Sequence, residues 1–130
     1  MKTKTNFILT VFVLLAVATA CGGTPLKLTA ADSGSQIEVQ AGDTIVIELE
    51  GNPSTGYTWE ALDLDASLFE QVGEAEFESD NPELVGSGGM QTLTFRAVQA
   101  GSGTLTLVYH RSWETDVEPL ETFTVEVVVK

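Results

Sequence analysis

From residue 44 to the end of the chain, one signal recurs: apolar side chains at every second position, with short polar turns between the runs. Ile45, Ile47 and Leu49 alternate with Val46, Glu48 and Glu50, and Leu93, Phe95 and Ala97 alternate with Thr92, Thr94 and Arg96. Leu105, Leu107 and Tyr109 continue the pattern, as do Phe123, Val125, Val127 and Val129. A repeat of two puts one set of side chains on each face of a pleated strand, so these runs predict half-buried β-strands. Shorter strands are expected at Leu26 to Thr29, Gln36 to Val39, Tyr57 to Leu62 and Leu68 to Phe77. No segment carries a convincing helical period, and no repeat or low-complexity tract is present.

Turn chemistry separates the runs, with Ala41-Gly42-Asp43 before the strand at Ile45 and Ala100-Gly101-Ser102-Gly103 before the strand at Leu105. This spacing predicts an all-β fold, an immunoglobulin-like antiparallel β-sandwich of seven or eight strands, with an irregular barrel as the alternative. Cys21 is the only cysteine, so no intramolecular disulfide can help and the core must hold the fold.

The first 20 residues have a different character. Lys2 and Lys4 precede an apolar run from Phe7 to Ala18, and Ala18-Thr19-Ala20 lies just ahead of Cys21. That order is a signal peptide's. As a helix, Phe7 to Ala20 would reach only about 21 Å, short of a hydrocarbon core of about 30 Å. Small residues before a cysteine resemble a bacterial lipobox, although Ala18 stands where leucine is commoner. The expected organisation is therefore a signal peptide over 1–20, a lipidated Cys21 with a short Gly22-Gly23-Thr24-Pro25 tether, and one domain over 26–130. The expected location is the bacterial cell envelope, with the domain anchored by lipid in a membrane and facing the periplasm or the cell surface.

Beyond Cys21 the only bases are Lys27, Arg96, Arg111 and Lys130, so that part is more acidic than the whole chain at −13. Such a surface repels nucleic acid and anionic headgroups. Catalysis is equally hard to assemble. His110 is the sole histidine and falls on the outward face of its strand, and a lipidated Cys21 is no nucleophile. Glu74, Glu76, Glu78, Asp80 and Glu83 lack the spacing of a calcium loop and read as a solvated strand edge. Neither an enzyme, a cofactor nor a metal site is expected.

Three loops remain unexplained by folding alone. In Asn52-Pro53-Ser54-Thr55-Gly56-Tyr57, proline fixes φ, glycine permits positive φ, and asparagine can bond the backbone two residues on. A stiff loop with Ser54 and Thr55 at its tip follows. In Gly86-Ser87-Gly88-Gly89, three glycines let another backbone approach closely. Arg111-Ser112-Trp113, just past the strand ending at His110, holds residue types enriched at interface hot spots. With the strand at Ile45 taken as B, these are the B–C, D–E and F–G loops, and connections of that parity share one end of a sandwich.

Taken in that order and spacing, the three motifs resemble the chagasin family of inhibitors of papain-like cysteine peptidases. The resemblance covers nearly the whole domain. It implies an immunoglobulin-like fold whose loops wedge reversibly, without a covalent step, into a peptidase's active-site cleft. By that resemblance Ser54 and Thr55 would sit over the catalytic Cys–His pair and Gly86 to Gly89 would lie along the substrate subsites. Trp113 would stack on aromatic residues at the primed side, with Arg111 supporting its loop or pairing with an acid. Two positions depart from the family pattern: Ser54 replaces the usual threonine, and Ser112 replaces a proline, which frees one backbone dihedral pair and loosens the F–G loop. The expected partner is a papain-like cysteine peptidase and the expected state a monomer. A sandwich displaying Trp113 and Tyr57 would also suit glycan or host-protein binding by stacking.

Overall fold

A computed structural model describes residues 24–130. The expected signal peptide, Cys21 and Gly22-Gly23 of the expected tether lie outside the described residues.

Among the described residues, nine strands build two sheets. In one, β1 (Leu26–Leu28), β3 (Thr44–Gly51) and β7 (Gly89–Ala97) lie side by side, and β5 (Phe69–Gln71) and β6 (Glu76–Ser79) both pair with the far edge of β7. The other runs β2 (Gln36–Val39), β9 (Glu121–Val129), β8 (Gly101–His110), β4 (Thr58–Leu62). All pairings are antiparallel except two at the edges, where β1 runs parallel to β3 and β2 parallel to β9. The single-turn helix Ala30–Asp32 carries the chain between β1 and β2, from one sheet to the other.

The alternation seen in the sequence sorts the side chains. Ile45, Ile47, Leu93, Phe95, Leu105, Leu107, Phe123, Val125 and Val127 are all buried between the sheets, with Trp59 and Phe69. Burying an aliphatic or aromatic side chain of this size contributes about 1.5–3 kcal/mol. Both sheets and this core are made from residues 26–129, so that part of the chain folds as a unit. Val108 is also buried although it is out of phase with the inward set, and it stands outside the core cluster.

Three expectations need correction. The strand expected from Leu68 to Phe77 is two strands, because Gly73 takes φ +70° and turns the chain between them; Val72 N–H still reaches Thr94 on β7. Residues Gly101 to Gly103 are not a turn but the start of β8, paired with Val129 to Val127. Leu68 packs so close there that a Cβ at Gly101 or Gly103 would lie 2.8 or 2.7 Å from its methyls, so a side chain at either position would push Leu68 aside. Gly89 begins β7 rather than ending the preceding loop, and its absent Cβ makes room for the Glu78 carbonyl of β6.

Strand direction defines two poles. Gly51 lies beside Gly89, Thr58 beside His110 and Tyr109 beside Glu121, so the connections at 52–57, 80–88 and 111–120 leave from one pole. At the other, Leu26 lies beside Ile45 and Val39 beside Val129, so the described chain both enters and leaves there.

Candidate functional site

The B–C loop owes its shape to local chemistry. Asn52 stays extended and caps the one-turn helix Pro53–Thr55, its Oδ1 accepting from Ser54 N–H at 3.2 Å and from Ser54 Oγ at 2.5 Å. Proline sits at the first helical position, where its missing N–H costs nothing. Thr55 Oγ1 donates to the Asn52 carbonyl at 2.6 Å, and Gly56 ends the turn at φ +87°. Ser54 and Thr55 are exposed at the tip.

Both neighbouring loops are tied to it. Asn52 Nδ2 donates to the Gly86 carbonyl at 3.0 Å, fixing the D–E loop beside the B–C loop. From the F–G side, Arg111 Nε donates to the Thr55 carbonyl at 3.1 Å, its guanidinium lies 4.5 Å above the Tyr57 ring, and Nη1 meets Glu114 at 3.3 Å. The Trp113 indole lies against Gly56, where any Cβ would collide with it. Its remaining surface is free, leaving Trp113 68% exposed. Ser112 is exposed and Ser87 and Gly88 are half-buried. The residues of the three loop motifs are thus brought together at one pole, with Tyr57 half-buried beneath Arg111 and Gly89 inside the sheet.

Below the loops the core ends in stacked aromatics. The Tyr109 ring lies 5.2 Å from Trp59 and 5.4 Å from Tyr57. Tyr109 Oη accepts the Asn52 N–H at 2.9 Å, and Trp59 Nε1 donates to the Glu50 carbonyl at 3.0 Å. Gln91, buried at 4% exposure, accepts the Trp59 N–H through Oε1 at 3.1 Å. The sequence reading did not single out Gln91. A signal was available, since it is in phase with Leu93, Phe95 and Ala97 and so had to face inward.

The rest of the surface offers less. His110 Nε2 lies 2.9 Å from Glu60 Oε2 on the outer face of the second sheet. Glu76 and Glu78 are exposed on β6, and among the described residues no three His, Cys, Asp or Glu side chains gather as a metal site.

A sandwich that presents pre-ordered loops, with an exposed tryptophan and serine–threonine tip instead of a nucleophile–base pair, is built as a binding protein. The model for the chagasin family peptidase inhibitor I42 matches residues 38–127, and the chain belongs to that family, one of inhibitors and not of enzymes. It is 33% identical over 107 residues to amoebiasin-1 of Entamoeba histolytica, across 81% of this chain and 100% of that protein. To chagasin of Trypanosoma cruzi it is 30% identical over 105 residues, 76% of this chain and 93% of that one. Among solved structures, the crystal structure of a cysteine protease inhibitor from Entamoeba histolytica matches with a TM-score of 0.70 at 28% identity, covering 82% of this chain and 96% of that one.

Proposed function

We propose that this protein is a reversible, non-covalent inhibitor of papain-like cysteine peptidases that sets its three loops as a wedge in the active-site cleft. The observation that carries the reading is the cross-bonding of the loops in the free protein. Asn52 joins the B–C loop to Gly86, and Arg111 and Trp113 join it to the F–G loop. A surface ordered before binding avoids much of the ordering cost of association and resists being drawn out as a substrate. Ser54 and Thr55 cover the catalytic Cys–His pair, the glycine-rich D–E backbone follows the substrate subsites, and Trp113 stacks on aromatic residues of the primed side. Cys21 carries the lipid that holds the protein, as a monomer, at the bacterial envelope.

The test is inhibition of papain and a cathepsin L-like peptidase by the domain starting at Gly22. Saturable, reversible inhibition is expected, and no inhibition of any papain-like enzyme at micromolar concentrations would sink the reading. Mass spectrometry of the protein from a bacterial membrane fraction checks the anchor, which fails if Cys21 carries no diacylglycerol.

A further inference from the structure

The loop contacts just described end at one atom of the core. Asn52 joins the B–C tip to the D–E loop, through Oδ1 to Ser54 and Nδ2 to Gly86. Its own backbone N–H is held by Tyr109 Oη, 57 residues away on β8. Tyr109 is only 8% exposed and stands two residues ahead of Arg111, where the F–G loop departs. Its ring lies against those of Tyr57, the last residue of the B–C loop, and Trp59, two residues further on. Trp59 is fixed from the opposite sheet, because its N–H is taken by Gln91, two residues beyond Gly89, with which β7 begins after the D–E loop.

We infer that Tyr109, supported by Gln91, is a positioning residue for inhibition. Without facing a peptidase, its hydroxyl fixes Asn52 and through Asn52 the relative placement of the Ser54–Thr55 tip and the Gly86 backbone. Removing the oxygen leaves a backbone donor half-buried without an acceptor, and that donor belongs to the residue on which two loops depend. The ring, its stacking and the strand are untouched by Tyr109→Phe, so the loss falls on loop placement and not on the fold. A displaced loop shortens the life of a complex more than it slows encounter, since association is governed by orientation and charge.

This inference rests on the inhibitory reading of the loops, and its test is built so that the two fail separately. Tyr109→Phe is compared with wild type and with Ser67→Ala, which removes a hydroxyl hydrogen bond to Asp65 at the opposite pole. Dissociation from papain is expected to be about tenfold faster for Tyr109→Phe, about 1.4 kcal/mol, with association within about twofold. Amide exchange at Asn52 in the free protein is expected to rise about tenfold while core-strand amides are unchanged. Ser67→Ala should show neither effect, however much it lowers the melting temperature. Equal dissociation rates for Tyr109→Phe and wild type, or unchanged exchange at Asn52, would overturn the inference. Should wild type inhibit no papain-like peptidase, the function falls and with it the inhibitory role of Tyr109, while the exchange measurement still decides whether Tyr109 orders the loops.

Discussion

The B–C and F–G loops sit side by side and are ordered in opposite ways. The B–C loop carries its own order: an asparagine cap, a proline start, a threonine back-bond and a left-handed glycine stop, all within residues 52–56. The F–G loop, residues 111–120, is longer and has little of this. Inside it, Glu114 N–H bonds the Arg111 carbonyl, Arg111 meets Glu114, and Asp116 takes φ +61°. Its Val117 and Leu120 are exposed, its far end is closed by Leu120 N–H on the Tyr109 carbonyl, and its side chains bind the B–C loop through Arg111 on Thr55 and Trp113 on Gly56. Order passes from the first loop to the second. The missing proline at Ser112 is therefore offset by contacts outside the F–G loop.

The largest effect should come from Gly56→Ala, which breaks both loops at once. A side chain at φ +87° is strained by about 1–2 kcal/mol, and its Cβ would also evict Trp113. Inhibition of papain should weaken about a hundredfold, with a melting temperature visibly lowered. Trp113→Ala removes only the exposed anchor, so it should cost about 2 kcal/mol of affinity, roughly thirtyfold, at almost no cost in stability. Equal losses for these two variants would mean that the B–C shape matters only through Trp113. Arg111→Lys keeps the charge but loses the planar group that reaches Thr55, Tyr57 and Glu114 together, and should weaken inhibition roughly tenfold.

Ser112→Pro sharpens the comparison from the other side. Among the described residues the Ser112 N–H has no acceptor, so proline removes no bond. It should tighten inhibition by about two- to fivefold, the 0.4–1 kcal/mol of one restrained residue. A gain larger than this would show that the contacts from the B–C loop leave Ser112 poorly ordered. The smallest effect belongs to the far pole, where the Ser67 hydroxyl and N–H hold the exposed Asp65 carboxyl below its ordinary range. A lowered folded-state pKa stabilises above the unfolded value and is lost as pH falls through the folded one, below about pH 4. In thermal melts Ser67→Ala should therefore narrow the gap from wild type only in that acid range, with inhibition unchanged.

Period two was enough to read the strands and their inward faces, because each of those runs, Val108 apart, buries one side only. It could not show where a strand breaks without losing its phase. Gly73 divides the run from Leu68 to Phe77, yet both halves return to β7. Nor could it assign Gly101 and Gly103 to a strand, since their absent side chains answer to Leu68, more than thirty residues earlier. The loop residues were legible because proline, glycine, asparagine, arginine and tryptophan each have a local reason to be noticed. Gln91 and Tyr109 were not singled out, because their importance lies in partners on other strands, Trp59 and Asn52.

The two poles also have a bearing on geography. β1 starts beside Ile45, at the low end of β3, and the loops open at Gly51, at its high end, about 20 Å away at the rise of a strand. With the lipid proposed at Cys21, five residues before β1, the membrane would lie under one pole and the wedge would crown the other. So anchored, it would work as an outward-facing sentry. It would meet peptidases arriving from solution head-on, whereas an enzyme seated in the same membrane would have to bend its cleft back towards the lipid to be caught. Lengthening the tether would relax that rule, turning a directional guard into one that sweeps its own neighbourhood.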